Sequence, residues 1–262
     1  MKICVAGAGG RMGQALIEGV RADPRFTLAA ALDVAGSPAV GRDVGVVIGA
    51  DVDRAVASSD VLIDFTRPAG TLAHLAACAR HGVGAVVGTT GLDEADKRAL
   101  HGFGNKIPIV FAANMSVGVN VLLSLVQDAA RALGDGVDIE IVEMHHRHKV
   151  DAPSGTALRL GEAAAAGLGR KLDDIAVPAR QGITGERKAG SIGFAALRGG
   201  DVVGEHTVMF ASEGERVEIT HRATSRKLFV AGALRAAEFV ASKRSRGETG
   251  VFDMPDVLGL KT

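Results

Sequence analysis

Within its first twenty residues the chain passes from a short apolar run, Lys2-Ile-Cys-Val-Ala6, into a glycine turn, Gly7-Ala-Gly-Gly-Arg-Met-Gly13. Gln14-Ala-Leu-Ile-Glu-Gly-Val20 follows, with apolar residues at helical spacing. Strand, glycine turn and helix in that order are the setting a dinucleotide-binding fingerprint needs. Glycines at 7, 10 and 13, with another at 9, depart from the commoner Gly-x-Gly-x-x-Gly. The physical logic survives: small residues let backbone amides reach a pyrophosphate at the helix N-terminus. Gly7, Ala8, Gly9, Gly10, Arg11 and Met12 are therefore the first candidate cofactor contacts. A ligand-free glycine turn has the same pattern, so a second signal is needed. Asp33 provides it. It ends the next apolar strand, Phe26–Leu32, twenty residues beyond Gly13, where a carboxylate accepts hydrogen bonds from adenosine ribose hydroxyls. That charge repels a 2′-phosphate, so NADH is the favoured cofactor. NADPH is the alternative, with Arg11 in reach of the phosphate.

The pattern then repeats. Val61-Leu-Ile-Asp-Phe65 is a strong buried strand ending in Thr66-Arg67-Pro68, and residues 71–81 have helical spacing. Val83-Gly-Ala-Val-Val87 leads into Gly88-Thr-Thr-Gly91; after a helix at 93–103, Ile107-Pro-Ile-Val-Phe111 leads into Ala112-Ala-Asn-Met115. Short apolar strands alternating with helices predict an α/β fold, a Rossmann-type doubly wound parallel sheet. Ligands of such sheets lie at the carboxyl ends of the strands. Phe65, Arg67, Gly88, Thr89, Thr90, Ala112, Ala113, Asn114 and Met115 all occupy that edge. For Thr89 and Thr90 the competing role is capping of the next helix.

Past Met115 the pattern changes. Residues 116–133 read as a long helix that leaves the first domain, and Val137-Asp-Ile-Glu-Ile-Val142 alternates apolar and acidic residues like a half-exposed strand. Three further β-like stretches, 191–197, 204–211 and 215–222, are joined by turns at 198–201 and 212–215. They predict an antiparallel meander, while the Gly- and charge-rich segment 171–190 reads as a mobile loop. The expectation is a smaller α+β domain at 117–225 with a mixed, largely antiparallel sheet. The helical run 227–242 returns to the first sheet, placing 1–116 and 226–262 in one dinucleotide-binding domain.

The most unusual chemistry lies in between, in Glu143-Met-His-His-Arg-His-Lys-Val-Asp-Ala-Pro-Ser-Gly-Thr-Ala157. His145, His146, Arg147, His148 and Lys149 fall between a strand end and a helix start, with Ser or Asp placed to cap that helix. Cationic side chains beside unpaired helix amides describe a pocket for a small anion, with imidazole and ammonium groups as acids. The competing roles are a solvated basic loop or a zinc site. Against zinc, no Cys lies near and the Lys and Arg repel the ion, so no metal is expected.

Composition removes other classes. Thirty basic residues balance thirty acidic ones, so nothing global points to nucleic acid. The absence of Trp and Tyr argues against base-stacking platforms. Cys4 and Cys78, both in apolar surroundings, make no disulfide framework and fit a reducing compartment. The N-terminal apolar run is too short for a signal peptide. The apolar stretch 107–126 is broken by Asn114, Ser116, Gly118 and Asn120, unlike a membrane span. A soluble, cytoplasmic protein without membrane partners is the expectation.

The motif from Glu143 to Ala157 resembles that of the 4-hydroxy-tetrahydrodipicolinate reductases, also called dihydrodipicolinate reductases, of the diaminopimelate route to lysine. The likeness extends to the glycine turn, Phe-Thr-Arg-Pro, Gly-Thr-Thr-Gly, Ala-Ala-Asn, Gly-Glu-His-Thr and Phe-Asp-Met. It implies NAD(P)H-dependent reduction of a small dicarboxylate, with His145 as proton donor/acceptor and Lys149 as second donor. His146, Ser154, Gly155 and Thr156 match positions that hold substrate carboxylates, although Ser154 has an N-cap role open to it. Gly88–Thr90 and Ala112–Met115 match positions at the nicotinamide end. Val34 stands where some members carry an Arg favouring NADPH. The resemblance also implies a homotetramer through the second domain. Two other functions share much of this pattern: another two-domain NAD(P)-dependent dehydrogenase, and a redox-sensing binding module with a dead second site. Only the reductase accounts for the doubled His, the Lys and the Pro-Ser-Gly-Thr helix start.

Overall fold

The computed structural model describes residues 1–261. The chain divides into two compact units, Met1–Val117 with the chain from Lys227 onward, and Gly118–Arg226. First come β1 (Lys2–Ala6), α1 (Arg11–Ala22), β2 (Thr27–Leu32), β3 (Ile48–Gly49) and α2 (Val52–Ala57). Then β4 (Val61–Asp64), α3 (Pro68–His81), β5 (Gly84–Val87), α4 (Glu94–Gly104) and β6 (Pro108–Phe111) continue the alternation. Next are α5 (Val117–Leu133), β7 (Asp138–His145), α6 (Gly155–Gly167), α7 (Leu172–Ile175) and β8 (Ala176–Val177). β9 (Ile192–Arg198), β10 (Gly204–Ser212) and β11 (Glu215–Ala223) complete the second unit, and α8 (Lys227–Ser245), β12 (Gly250–Phe252) and α9 (Met254–Leu258) return to the first.

The first unit is a seven-stranded parallel sheet in the order β12-β6-β5-β4-β1-β2-β3. Its strands are apolar on both faces because helices cover both. Ile3 and Val5 pack with Leu16 and Val20 of α1 and Ala233 and Val240 of α8. Cys4 and Ala6 face the other way, toward Leu75 and Cys78 of α3 and Leu100 of α4. Each such aliphatic side chain fully removed from water contributes roughly 1.5–3 kcal/mol. Both cysteines are free and buried, and burial pushes the Cys78 thiol up to about 12, which leaves it inert. The strand ends are flush: Ala6 pairs with Leu32 and Asp64, and Val87 pairs with Asp64 and Phe111. Gly7, Asp33, Phe65, Gly88 and Ala112 thus begin the turns along one edge. The strand order reverses between β1 and β4, which makes that point of the edge the crevice for a ligand.

The second unit is a five-stranded mixed sheet, β11-β10-β7-β9-β8. Leu122 and Val126 of α5 and Leu160 and Ala164 of α6 bury one face against Ile139, Ile141, Phe194, Val208 and Phe210. Two expectations are corrected here. The strands 191–197, 204–211 and 215–222 do not form one meander: β10 and β11 are a hairpin, but β9 runs parallel to β7, and β10 pairs with the other edge of β7. A helical crossover separates β7 from β9, and such a connection returns the chain in the parallel sense. Nor is 171–190 wholly loop, since it contains α7 and β8, and β8 pairs with β9. Its remainder is tied to β7 by Arg187, which reaches Asp138 at 2.7 Å and Glu140 at 2.9 Å, and by Arg180 on Glu140 at 2.8 Å. Among the described residues no helix is long and apolar enough to cross a membrane.

Candidate functional site

In the first unit the glycine turn brings the end of β1 and the start of α1 close together. Gly7 takes a positive φ of 73°, Gly10 is the N-cap of α1 without a side-chain cap, and a Cβ on Gly13 would overlap the Gly7 carbonyl. The helix start is therefore drawn tight against the strand end, and the first amides of α1, from Arg11 and Met12, have no carbonyl one helical turn back to bond. Gly9 has a different use. Its amide donates to Asp33 Oδ2 at 2.7 Å, and a Cβ there would lie 2.6 Å from that oxygen. The Val34 amide donates to Asp33 Oδ1 at 2.8 Å. Asp33 is thus fixed by both neighbouring backbones, with a further lone pair on each oxygen for a ribose hydroxyl.

A cavity of ≈ 770 Å³ opens at this edge, bringing together Gly7, Gly10, Asp33, Phe65 and Arg67 with Val34, Thr66, Gly70 and His74. Its size is that of a site for a cofactor-sized ligand. With the uncapped helix start and the anchored carboxylate, these residues fit an adenine dinucleotide. Ala8 is buried, its amide bonded to Leu32 O. Gly88, Thr89, Thr90 and Ala112–Met115 lie on the same edge but do not line the cavity. Gly88 is where a Cβ would strike the Phe65 ring. Thr89 is buried, its hydroxyl 2.7 Å from that of Thr71, so its side chain is turned inward; the cap of α4 is Asp93 instead. Thr90 is exposed. Asn114 Oδ1 accepts from the Ser116 amide at 2.9 Å, and the Met115 side chain belongs to the core. His74 is an addition that the sequence did not single out. It lines the cavity while its Nδ1 sits 2.8 Å from the fully buried Asp64.

In the second unit the basic motif is built on the end of β7. Ile139, Ile141, Glu143 and His145 alternate onto the buried face of that strand, so the inner row changes from apolar to Glu-His at the point where the motif begins. His145 Nδ1 lies 2.6 Å from Glu143 Oε2. Arg198 grips the same carboxylate with two nitrogens, each at 2.8 Å, and the Ser154 amide donates to Oε1 at 3.1 Å. Burial by itself would raise the Glu143 carboxyl, but the bonds from Arg198 and His145 outweigh it and hold the group below the usual carboxylate range. His206, opposite Glu143 on β10, reaches Ser154 Oγ through Nε2 at 3.0 Å and packs edge-on to His145 at 5.1 Å. Burial chiefly, and then His145, push it down to about 4, so it is neutral at neutral pH.

The remaining motif residues sit on the connection to α6. Backbone bonds from His146 to Val202 and from Arg147 to Gly200 pin the basic loop. His146 has a buried Nδ1 with no hydrogen-bond partner, as expected of a group that a ligand completes. Lys149 is only 19 % exposed and its ammonium rests on both oxygens of Asp151 at 2.8 Å. Ser154 is the N-cap of α6, accepting from Ala157 N at 3.2 Å. Its hydroxyl is thereby engaged by the helix and by His206. Gly155 and Thr156 form the first turn, at the positive end of the helix dipole. Among the described residues no group of three His, Cys, Asp or Glu converges as a metal ion would need. Glu143, Arg198 and His206 are the functional candidates that motif reading missed. The available signal was the period-two alternation, which puts Glu143 on the same face as His145.

Comparison with known proteins agrees along the whole length. The family model described as dihydrodipicolinate reductase, N-terminus, matches residues 1–115, and that described as dihydrodipicolinate reductase, C-terminus, matches residues 118–258. A 4-hydroxy-tetrahydrodipicolinate reductase of Burkholderia pseudomallei (strain 668) is 57 % identical over 269 aligned positions, covering 100 % of both chains. One from Burkholderia multivorans is 56 % identical, again over 100 % of both. Among solved structures, a dipicolinate-bound dihydrodipicolinate reductase from Paenisporosarcina sp. TG-14 superposes with a TM-score of 0.76 at 22 % identity, over 97 % of each chain, a likeness that speaks to the fold. With both halves matched by one family's models and curated relatives 56–57 % identical end to end, the chain belongs to the dihydrodipicolinate reductase family.

Proposed function

We infer that this chain reduces (2S,4S)-4-hydroxy-2,3,4,5-tetrahydrodipicolinate to (S)-2,3,4,5-tetrahydrodipicolinate with loss of water, using NAD(P)H, in the diaminopimelate route to lysine. The observation that carries the reading is the second unit's inner row. A buried imidazole is held by an ionised carboxylate, with an ammonium and a helix start within ten residues of it along the chain. When bound, the dihydronicotinamide supplies a hydride. The protein's share is the proton and the charge. Adding a hydride and a proton while releasing water balances the reaction, and His145 and Lys149 are the groups placed to move that proton. Lys149 also offsets negative charge that builds on the substrate. His146, Gly155 and Thr156 receive the carboxylates, with Ser154 holding the helix start in place. Gly7–Met12, Asp33, Phe65 and Arg67 seat the adenosine and pyrophosphate, and Gly88–Thr90 with Ala112–Met115 seat the nicotinamide end through their backbones.

Asp33 and the uncharged Val34 favour NADH over NADPH within this reading. A homotetramer through the second unit and a cytoplasmic location belong to it as well; the far edge strand β11 exposes Val217 (42 % accessible) and is open to a partner. The test is a spectrophotometric assay of NADH and NADPH oxidation with freshly generated substrate. Turnover with that substrate is expected. Cofactor binding without oxidation would reject the reading in favour of a binding module.

A further inference from the structure

We propose that Glu143, clamped by Arg198, is a positioning residue that fixes the orientation and tautomer of His145. This rests on the role just given to His145. The carboxylate is 1 % exposed, and its two oxygens are ordered by three donors besides the imidazole: both guanidinium nitrogens of Arg198 and the Ser154 amide. A carboxylate so held cannot rotate, and it presents Oε2 to Nδ1 as an acceptor. The neutral ring therefore carries its proton on Nδ1, leaving Nε2 as the nitrogen that exchanges a proton with substrate. The opposite side of the ring fits this assignment. A Cβ on residue 204 would lie 3.0 Å from Nε2, and the residue there is Gly204, so nothing is attached that would cover it. Arg198 is aligned with His145 across the parallel pair β7–β9, and it also bonds Asp151 O at 2.6 Å. One guanidinium thus ties the imidazole's anchor to the loop that carries Lys149. A purely structural ion pair would explain the burial of Glu143, but it gives no reason for the imidazole contact at 2.6 Å.

The experiment is Glu143→Gln in the full chain, beside His145→Gln as reference. An orienting carboxylate changed to its amide leaves the shape and removes the tautomer preference. The expected result is a fall in kcat of at least about 100-fold, with KM for substrate within about threefold. In protein labelled with 15N-histidine, the His145 signals should shift from the Nδ1–H form toward a mixture. Arg198→Met should give an intermediate loss, and Arg198→Lys should recover part of it. Far-ultraviolet circular dichroism and NADH binding to the first unit control for folding; should Glu143→Gln not fold, the Arg198 pair carries the same readouts. If His145→Gln loses turnover while Glu143→Gln keeps kcat within about threefold, the positioning role is wrong and the function stands. A wild-type ring with its proton on Nε2 would equally overturn the proposal. If His145→Gln itself keeps its turnover, the role of His145 falls and this inference falls with it.

Discussion

Asp33→Ala tests the first unit most directly. The carboxylate is pinned by Gly9 N at 2.7 Å and Val34 N at 2.8 Å, so it meets a ligand without reorganising, and one lone pair per oxygen is left for the ribose. Hydrogen bonds to a charged group are worth about 1.5–3 kcal/mol each. Losing two, partly replaced by water, should cost NADH about 3 kcal/mol, or roughly 100-fold in affinity. NADPH responds differently. Its 2′-phosphate replaces one ribose hydroxyl, and at about 5 Å and an effective dielectric near 20 each pair of unit like charges repels by about 3 kcal/mol. Removing the carboxylate removes that repulsion, so NADPH loses little and can gain. The ratio of kcat/KM for NADPH to that for NADH should therefore rise by about 100-fold or more. Initial rates of cofactor oxidation at saturating substrate give both numbers. A ratio that stays within about threefold would show that Asp33 does not face the ribose, and would return NADH preference to an open question.

The other predictions concern the proton, the turn and pH. Lys149→Ala should reduce kcat by about 100- to 1,000-fold while NADH binding, measured by titration, stays unchanged; equal loss in both would refute a role confined to the second unit. Gly13→Ala places a methyl on the Gly7 carbonyl, a backbone atom that cannot step aside, so stability should drop by about 3 kcal/mol and cofactor affinity with it. A melting temperature within about 2 °C of the parent would contradict that overlap. His206 is pushed down to about 4 in the folded chain, so between there and its ordinary value near 6.5 the unfolded chain binds the extra proton. Its contribution is whole above pH 6.5 and is lost as pH falls toward 4; going from pH 7 to 5 should cost the second unit about 2 kcal/mol. Urea titrations of the parent and His206→Gln will show this, followed by circular dichroism because the chain has no Trp or Tyr. Equal losses in the two proteins would rule it out.

The first sheet is legible in the sequence because its signals are local. The apolar runs of β1, β2, β4, β5 and β6 stop at glycine, aspartate, threonine or asparagine, and the turn that follows each run lies on the ligand edge whatever the strand order. The elements that escape notice are short. β3 and β12 span two and three residues, too few for an alternation to show, and they exist only because β2 and β6 offer them a partner edge. Side-chain direction is legible only in part. Thr89 and Met115 stand in the right turns, but their side chains turn inward, toward Thr71 and the core. The motif around residue 145 advertises its run of basic residues. Its buried members look like ordinary strand residues until Glu143 and His145 are seen to follow Ile139 and Ile141 on one face.

The misjudged meander explains why the rest of the second site stayed hidden. Had β9 folded back on β10 through the glycine turn at 199–200, Arg198 would have closed a hairpin beside Gly204, far from the charge it complements. The crossover through α6 instead brings β9 alongside β7 in the parallel sense, aligned so that Arg198 meets His145 and Ala196 meets Glu143. β10 takes the other edge and sets His206 opposite Glu143. The buried carboxylate is thus approached from both flanks of its own strand, by a guanidinium from one neighbour and, through Ser154, by an imidazole from the other. A buried charge is tolerable only when its partners are complete, and here completeness depends on strand order. The sheet order and the pairing of this buried carboxylate are one requirement: a register slip of one residue in β9 would turn Arg198 to the opposite face and leave Glu143 without its guanidinium.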